Sequence, residues 1–367
     1  MKVKAALLRG AGQKFEVTEL RLEGPREGEV LVKLAASGVC HSDYHLVTGD
    51  TEHPLPVVAG HEGAGVVAEV GAGVAHVKVG DPVVLSWAPY CGHCAYCQRG
   101  QTHFCATFVE PIWQGTMLDG TPRLYDGDQP VYHYCCLATF AEYTVVPASC
   151  CIPIGEDIPL ASAALVGCAV ATGVGAAIYT TPVKPGETVA VYGCGGVGLN
   201  VVQGAALAGA AEIIAVDVTE EKMALARQFG ATAALLASEE TEAEIKALTG
   251  GWGVDHVFDA TGYPAVQERA LRAARIGGSL TLVGLAPMSS TTQFASAVIT
   301  RQELTIRGSY YGTVHAPRDF PLLLNLYKGG KLKLDELITE TYQLEEINEA
   351  YDALLTGKVG RGVILFD

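Results

Sequence analysis

The stretch from Thr188 to Asp217 constrains the fold more than any other part of the chain. It opens with a short apolar, β-branched run, Thr188–Tyr192, of the kind that forms a strand buried on both faces of a parallel sheet. A glycine-rich turn follows, then a run of small apolar residues suited to a closely packed helix, and then a second apolar run that ends at Asp217. This order predicts a βαβ unit of a doubly wound parallel sheet.

The glycines of this turn fit the pattern G-x-G-x-x-G. Gly193 permits the tight turn, Gly195 lets a pyrophosphate approach the backbone, and Gly198 lets the helix pack closely on the strand. The helix N-terminus offers unpaired N–H groups and the positive end of a dipole to the phosphates. Asp217 is placed to accept hydrogen bonds from a ribose diol, and a carboxylate there favours NAD over NADP because it would repel a 2′-phosphate. A plain βαβ turn is the alternative to this NAD site.

Length and composition limit the class of protein. The 367 residues suffice for two domains, and 49% hydrophobic with 18% charged residues is typical of a well-packed globular chain. A net charge of −15 argues against nucleic acid or an anionic membrane as a partner, because both require basic patches. The apolar run at the N-terminus is too short for a signal peptide, and eleven cysteines without an export signal indicate metal ligands and free thiols. We expect a soluble, cytoplasmic protein.

The first 90 residues alternate apolar and polar positions and are punctuated by Gly, Pro and Asp. The pattern predicts strands at Val3–Leu8, Phe15–Leu20, Glu29–Ala36, Gly65–Val70 and Asp81–Leu85. Short strands with frequent turns predict a β-rich, barrel-like domain. Two polar clusters interrupt the strands, at Gly38–His45 and Gly60–Gly63.

The rest of the chain divides by its periodicity. Residues 106–135 contain many turn formers and predict an extended surface segment, whereas the Ala-rich stretch 160–179 predicts a buried helix. Helical and strand patterns alternate after Asp217, which predicts a parallel sheet with helices on both faces, and a β-rich pattern resumes at Thr305. We therefore expect a β-rich domain over 1–168, a parallel-sheet domain over 169–304, and a return to the first domain over 305–367.

Four cysteines lie close together in the sequence after the β-rich region. Cys91, Cys94 and Cys97 have C-x₂-C-x₂-C spacing, and Cys105 follows after seven further residues. Four thiolates can surround a zinc ion tetrahedrally at about 2.3 Å and leave no coordination position open for chemistry. An iron–sulfur cluster is the alternative, although the C-x₃-C-P ending of the bacterial ferredoxin run is missing. The spacing predicts a structural zinc lobe.

Taken together, these motifs resemble those of the zinc-containing alcohol dehydrogenases of the medium-chain dehydrogenase/reductase superfamily. The resemblance covers essentially the full length, and it rests on Gly60-His61-Glu62 followed by Gly63 and Gly65, the cysteine lobe 91–105, Gly167-Cys168, the glycine turn 193–198 and Asp217. It implies an α/β fold in which both ends of the chain form a GroES-like β-rich catalytic domain and the middle forms a Rossmann doubly wound parallel-sheet domain. The long segment between Cys105 and Phe140 resembles that of the dimeric members, which implies a homodimer.

The resemblance also implies a second, catalytic zinc, held by Cys40, His61 and Cys168 with Glu62 nearby. Three protein ligands leave a fourth place for an alcohol oxygen, whose proton affinity the metal lowers. The alcohol would lose its proton, and the alkoxide would pass a hydride to NAD. In isolation, a cysteine such as Cys168 on an Ala-rich helix is more often a core thiol, and His61 suits a hydrogen-bonded turn histidine.

Proton release and cofactor binding complete the set of residues that the resemblance assigns. Ser42 is the first residue of a proton relay, and His45 is the exit base; both would otherwise be turn residues. Lys222 corresponds to an adenosine-ribose contact, and Arg361 and His41 to pyrophosphate contacts. With the glycine turn, the predicted cofactor contacts are His41, Thr172, Gly193, Gly195, Gly196, Val197, Gly198, Asp217, Lys222 and Arg361.

The expected activity is the oxidation of a primary or secondary alcohol to an aldehyde or ketone, and the reverse, with two zinc ions and NAD per chain. Within the same family, a formaldehyde dehydrogenase that acts on a thiol adduct is the alternative. A hypothesis of another class is a non-catalytic NAD-binding or structural protein, which would lack zinc ligands or relay residues. Five cysteines belong to neither metal and suit small apolar positions: Cys135, Cys136, Cys150, Cys151 and Cys194.

Overall fold

A computed structural model describes residues 1–357 and 360–367. The strands are β1 (Lys2–Leu8), β2 (Glu16–Leu22), β3 (Glu29–Gly38), β4 (Val57–Val58), β5 (Gly63–Val70), β6 (Pro82–Leu85), β7 (Leu124–Asp126), β8 (Gln129–His133), β9 (Tyr143–Pro147), β10 (Cys151–Pro153), β11 (Thr188–Tyr192), β12 (Glu212–Asp217), β13 (Ala233–Leu236), β14 (Val254–Asp259), β15 (Ala274–Leu282), β16 (Thr305–Gly308), β17 (Ile338–Tyr342) and β18 (Arg361–Leu365). The α-helices are α1 (His41–Thr48), α2 (Ala95–Gln98), α3 (Val109–Gln114), α4 (Leu160–Ala164), α5 (Ala169–Gly175), α6 (Gly196–Ala208), α7 (Glu220–Gln228), α8 (Thr241–Leu248), α9 (Pro264–Ala270), α10 (Ser296–Gln302), α11 (Ala316–Lys328) and α12 (Ile347–Leu355).

The first of two compact units contains residues 1–168, 315–330 and 334–367. Strands β1, β2, β7, β8 and β4 form a closed barrel, and a second sheet has the order β10-β6-β5-β3-β18-β17, with β9 paired to β3. The apolar faces of the barrel strands pack on the aromatic rings of Phe15, Phe140 and Tyr351, of which Phe15 and Tyr351 stack at 5.4 Å between centroids. Strand β18 pairs with β3 and places Val363 opposite Gly38, so the C-terminal strand lies beside the first polar cluster.

The second unit contains residues 169–314 and 331–333. Its six strands have the order β13-β12-β11-β14-β15-β16, and every pair is parallel. Numbered within the unit, this is the order 3-2-1-4-5-6 of dinucleotide-binding folds, in which ligands bind where the order reverses, at the carboxyl ends of β11 and β14. Ala190, Ile214 and Val257 are buried on one face of the sheet, and Val191 and Phe258 are buried on the other, as the sequence of the strands predicted.

Two predictions about the chain's organisation differ from the structure. We expected the return to the first domain at residue 305, but β16 pairs with β15 as the sixth parallel strand, and the second unit extends to Val314. Residues 106–135 are not an extended surface segment, because they contribute α3, β7 and β8, and Phe108, Ile112 and Met117 are buried. Buried Arg123 ties this segment to β3 through a hydrogen bond of 2.9 Å from Nε to Glu29 Oε2.

Within the described residues, no single helix is long and apolar enough to span a membrane. One bent pair, Leu160–Gly167 with Ala169–Thr180, reaches that length and composition only when its two parts are taken together.

Candidate functional site

The first unit brings together the side chains that the family resemblance assigned to a metal. Cys40 precedes α1, His61 and Glu62 lie on the turn before β5, and Cys168 follows a short 3₁₀ turn at Leu165–Gly167. One ligand atom from each of these four residues lies within 4.8 Å of the other three, and all four residues are buried. The arrangement offers two thiols, one imidazole and one carboxylate to a single point.

Glycines make room for this cluster. A Cβ on Gly38 would lie 2.1 Å from the Glu62 carboxylate, and one on Gly167 would lie 2.7 Å from the Leu85 carbonyl oxygen. Gly60 has a φ of +88°, and a Cβ there would meet the Phe140 amide nitrogen at 2.7 Å. A larger residue at Gly38 would displace Glu62 itself, and one at Gly60 or Gly167 would shift the turns that carry His61 and Cys168.

A carboxylate that the sequence analysis did not assign orients the histidine. Asp43 Oδ1 lies 3.0 Å from His61 Nδ1 and accepts a 2.8 Å hydrogen bond from the Gly60 amide. Asp43 is fully buried in α1, three residues after Cys40. Because the carboxylate binds the Nδ1 side, Nε2 is the ring nitrogen left for a metal, which is the usual arrangement of a metal-ligating histidine.

The protonation tendencies of these groups also fit a cation. A hydrogen bond with Cys168 and the nearby His61 ring lower the pKa of Cys40. Burial opposes a charge on His61, but Asp43 and Cys40 together raise its pKa. Burial raises the pKa of Glu62 to about 7. The two thiols and the Glu62 carboxyl are all acidic groups in one buried cluster, which favours binding of a divalent cation there. Thiolate and imidazole together are a donor set that suits zinc.

Arg361 has a role in the structure that the sequence did not predict. Its guanidinium donates a hydrogen bond to Glu62 Oε2, and both side chains are buried. Glu62 Oε1 and Arg361 Nε have no hydrogen-bond partner in the described part of the chain. Arg361 therefore neutralises the carboxylate next to the metal ligands, and its contact with a pyrophosphate stays a prediction.

The four cysteines of the lobe also converge. Their sulfur atoms lie within 4.8 Å of one another, and the Cys91–Cys97 and Cys94–Cys105 sulfur pairs are each 3.9 Å apart. A tetrahedron with zinc–sulfur bonds of about 2.3 Å has sulfur–sulfur edges of about 3.8 Å. The Cys91 amide donates a 3.2 Å hydrogen bond to Cys105 Sγ, and the Cys94 amide donates one of 3.3 Å to Cys91 Sγ. The lobe fits a tetrahedral zinc ion.

The two residues of the predicted relay lie one turn apart on α1. Ser42 and His45 are therefore neighbours on one side of the helix. The Tyr134 hydroxyl donates a 3.4 Å hydrogen bond to the Ser42 carbonyl oxygen. The His45 side chain is 14% exposed, and its Nδ1 lies 3.3 Å from Asp50 Oδ2. Exposed His41 begins α1, with its ring 6.2 Å from that of His45.

The glycine turn of the second unit has the geometry of a phosphate site. Gly193 has a φ of +89°, and a Cβ on Gly198 would lie 1.7 Å from the Gly193 carbonyl oxygen, so the helix and strand pack as closely as predicted. Gly195 is the N-cap of α6, and a Cβ added there would meet nothing within 4 Å. The free space lies at the N-terminus of a 13-residue helix that begins with Gly196 and Val197, where phosphate binding is favourable.

Asp217 ends β12 beside this turn. Its Oδ2 accepts a 2.6 Å hydrogen bond from the Cys194 amide, its Oδ1 accepts one of 2.7 Å from Val218, and Lys222 Nζ lies 3.8 Å from Oδ2. The carboxylate is thereby held next to the glycine turn, with lone pairs left for a ribose. Thr172 lies in α5 of the same unit, next to Gly173, where a Cβ would lie 2.4 Å from the Val197 carbonyl oxygen.

The five cysteines outside the two clusters are free and buried. Burial raises the pKa of both Cys136 and Cys194 to about 12, so these thiols stay protonated at neutral pH. They pack as small apolar side chains.

The comparison with known protein families agrees with this geometry. Residues 26–156 match the alcohol dehydrogenase GroES-like domain, and residues 196–329 match the zinc-binding dehydrogenase domain. The chain belongs to the zinc-containing alcohol dehydrogenases of the medium-chain dehydrogenase/reductase superfamily. It is an oxidoreductase with a GroES-like domain and a Rossmann-like domain, as predicted.

Individual relatives span the whole chain. The NDMA-dependent alcohol dehydrogenase of Amycolatopsis methanolica is 44% identical, over 100% of this chain and 99% of the relative. The S-(hydroxymethyl)glutathione dehydrogenase of Photobacterium damsela subsp. piscicida is 40% identical, over 99% of this chain and all of the relative. Among solved structures, benzyl alcohol dehydrogenase from Acinetobacter calcoaceticus superposes over the full length of both chains with a TM-score of 0.94 and 32% identity. These relatives indicate alcohol oxidation by a zinc-family enzyme acting on small molecules.

Proposed function

We propose that this protein oxidises a primary or secondary alcohol to an aldehyde or ketone, and catalyses the reverse, with NAD as the hydride acceptor and two zinc ions per chain. The observation that carries the proposal is the buried convergence of Cys40, His61 and Cys168, with Asp43 behind the histidine. Three such ligands leave a coordination position for substrate, whereas the four-cysteine lobe leaves none.

Zinc held by Cys40, His61 and Cys168 would act as a Lewis acid that lowers the pKa of an alcohol hydroxyl. The protein supplies the rest of this chemistry. Asp43 fixes the orientation of His61, and the burial of the ligand set excludes water from it. Arg361 neutralises Glu62, so that less negative charge opposes loss of the hydroxyl proton.

Ser42 and His45 carry the released proton away in this proposal. A serine hydroxyl can accept one proton while it donates another, and a partly exposed imidazole can pass the proton to solvent near neutral pH. Their positions one turn apart on α1 support a relay that runs along the helix. The Tyr134 hydroxyl, bonded to the Ser42 carbonyl, steadies the first residue of the relay.

NAD is the proposed hydride acceptor because of the second unit's geometry. The free space at Gly195 and the N-terminus of α6 suit a pyrophosphate, and Asp217 suits an unphosphorylated ribose. His41, Thr172, Lys222 and Arg361 are the further contacts that the family resemblance implies. We also propose a cytoplasmic homodimer, for which light scattering of the purified protein is the direct test.

The relay is tested with the His45→Gln variant. Glutamine preserves hydrogen bonding but cannot accept a proton near neutral pH, so the acidic limb of the pH–rate profile of hydride transfer should disappear. The rate at neutral pH should fall about tenfold or more, since general acid–base catalysis contributes about 10²–10⁴-fold. Added imidazole buffer should restore part of the rate. An unchanged profile without rescue would remove His45 from the relay.

A second candidate substrate has support from a relative. The relative from Photobacterium damsela is named an S-(hydroxymethyl)glutathione dehydrogenase and matches almost the whole chain. The alternative activity is therefore oxidation of the adduct of formaldehyde and a thiol. Turnover of formaldehyde with NAD should stay near background with and without glutathione if free alcohols are the substrates. A strong dependence on the thiol would favour the adduct instead.

A further inference from the structure

The chain reverses direction directly after the helix that carries the proposed relay. Helix α1 ends at Thr48, and Gly49 follows with a φ of +79°. Residues with a side chain rarely adopt this conformation, so the position favours glycine. The reversal brings Asp50 back against the last turn of the helix. There the Thr51 amide donates a 3.1 Å hydrogen bond to the carbonyl oxygen of His45. The position of Asp50 is thus set by backbone geometry.

The Asp50 carboxylate contacts two side chains of that last turn. Its Oδ2 accepts a 2.6 Å hydrogen bond from Thr48 Oγ1 and lies 3.3 Å from His45 Nδ1. A carboxylate only accepts hydrogen bonds when it is ionised, so this contact requires a proton on Nδ1. Nε2 of His45 is then the nitrogen with a free lone pair.

We propose that Asp50 is the positioning residue of the relay, whose carboxylate holds the Nδ1–H of His45 and leaves Nε2 as the proton acceptor. This inference rests on the proposed function, because it assigns a partner to the proposed exit base. In each turnover Nε2 gains the released proton, the ring becomes an imidazolium, and Asp50 stays ionised and stabilises the positive charge. The proton then leaves from Nε2 to water, which restores the starting state.

Apart from Asp50, no charged side chain hydrogen-bonds or ion-pairs with the His45 ring within the described residues. The His41 ring on the same helix lies 6.2 Å away and would disfavour a second positive charge. The turn at Ala11 and Gly12 packs on the end of α1 through uncharged residues. The Gly12 amide donates a hydrogen bond to the Val47 carbonyl oxygen, and the Ala11 Cβ lies 3.6 Å from a Cβ built on Gly49. Asp50 is therefore the carboxylate that contacts the His45 ring.

The Asp50→Asn variant tests this role without removing the acceptor for Thr48. In the zinc-loaded enzyme with ring-labelled histidine, nuclear magnetic resonance should show His45 as the Nδ1–H tautomer, with its resonance identified by its loss in His45→Gln. In Asp50→Asn the preference for the Nδ1–H tautomer should weaken, because an amide can either accept a hydrogen bond from Nδ1 or donate one to it. Exposed Glu52 is the matched control, since Glu52→Gln removes a nearby charge that makes no described hydrogen bond to His45.

Transient kinetics separate this inference from the proposed function. The acidic limb of the hydride-transfer profile should change in Asp50→Asn, together with the tautomer, and should stay in place in Glu52→Gln. If His45→Gln removes the limb while Asp50→Asn leaves both the limb and the tautomer unchanged, the role of Asp50 is refuted and the relay stands. If His45→Gln leaves the limb in place, the relay itself is refuted, and with it the role of Asp50.

Discussion

Replacing Asp43 by Asn perturbs the metal centre through a single buried contact. Asparagine has nearly the same shape, and its carbonyl oxygen can still accept hydrogen bonds from the His61 ring and the Gly60 amide. The change removes the negative charge behind the histidine. It also places an amide NH₂ at the position of Oδ2, which has no hydrogen-bond partner in the described residues.

The expected loss follows from the strength of the contact with His61. A hydrogen bond to a charged group contributes about 1.5–3 kcal/mol, and one between neutral groups about 0.5–1.5 kcal/mol. Loss of the charge therefore costs about 1–1.5 kcal/mol at His61, or about tenfold in metal affinity. The imidazole also becomes a weaker electron donor to the metal. We therefore predict a 10- to 100-fold weaker affinity for zinc at the Cys40–His61–Cys168 site.

The assay is stepwise release of zinc to a chromophoric chelator. The four-cysteine lobe is an internal control in the same molecule, because Asp43 touches none of its ligands in the described contacts, and a Cys40→Ala variant identifies which step belongs to which site. In Asp43→Asn, one of the two steps should become faster and should occur at a lower chelator concentration, and the other step should not change. Equal weakening of both steps would indicate a general loss of stability, and no change in either step would refute the role of Asp43.

Three further substitutions test the nucleotide unit. Gly195→Ala should leave the melting temperature unchanged, because the added Cβ meets open space. It should nevertheless weaken NADH binding at least tenfold in a fluorescence titration, because the methyl group would occupy the pyrophosphate position. Gly198→Ala should instead destabilise the fold, because its Cβ would lie 1.7 Å from the Gly193 carbonyl oxygen. Equal binding by wild type and Gly195→Ala would contradict the proposed pyrophosphate position. Asp217→Asn should lower the preference for NAD over NADP at least tenfold in kcat/KM, because it removes the repulsion of a 2′-phosphate, and an unchanged ratio would exclude Asp217 as the selective residue.

The nucleotide unit could be predicted almost completely from the sequence. Its information is local, since the strand, the glycine turn, the helix and Asp217 follow one another within 30 residues. Each glycine has a distinct steric reason at its position. The six-stranded sheet is equally readable from alternating patterns, except for β16, whose mostly exposed residues Thr305–Gly308 lack the apolar run of a buried strand.

The metal centre could not be predicted from spacing. Cys40, His61 and Cys168 come from three separate turns of one unit, and only the family resemblance linked them. The position of Asp43 was a usable signal that the predictions left out. It lies in the first turn of α1, just after Cys40, and a carboxylate there can reach a neighbouring loop. The family resemblance assigned Arg361 to the pyrophosphate, and nothing local in the sequence shows that the pairing of β18 with β3 places it against Glu62.

The segment 106–135 shows why turn formers can mislead. Asp119 and Gly120 do form a turn, but apolar residues at positions 108 and 112 recur with helical spacing and fill the core. The charge of buried Arg123 is balanced by Glu29, 94 residues away in sequence. Long-range partners of this kind leave no local pattern.

The metal content per chain tests the central claim most directly. Elemental analysis of the fully loaded protein should find two zinc ions, and the Cys40→Ala/His61→Ala double variant should retain one ion and lose alcohol oxidation. A single ion in the wild type, still held when Cys40 and His61 are both replaced, would contradict the account. The chain would then be a nucleotide-binding protein with one metal-stabilised lobe.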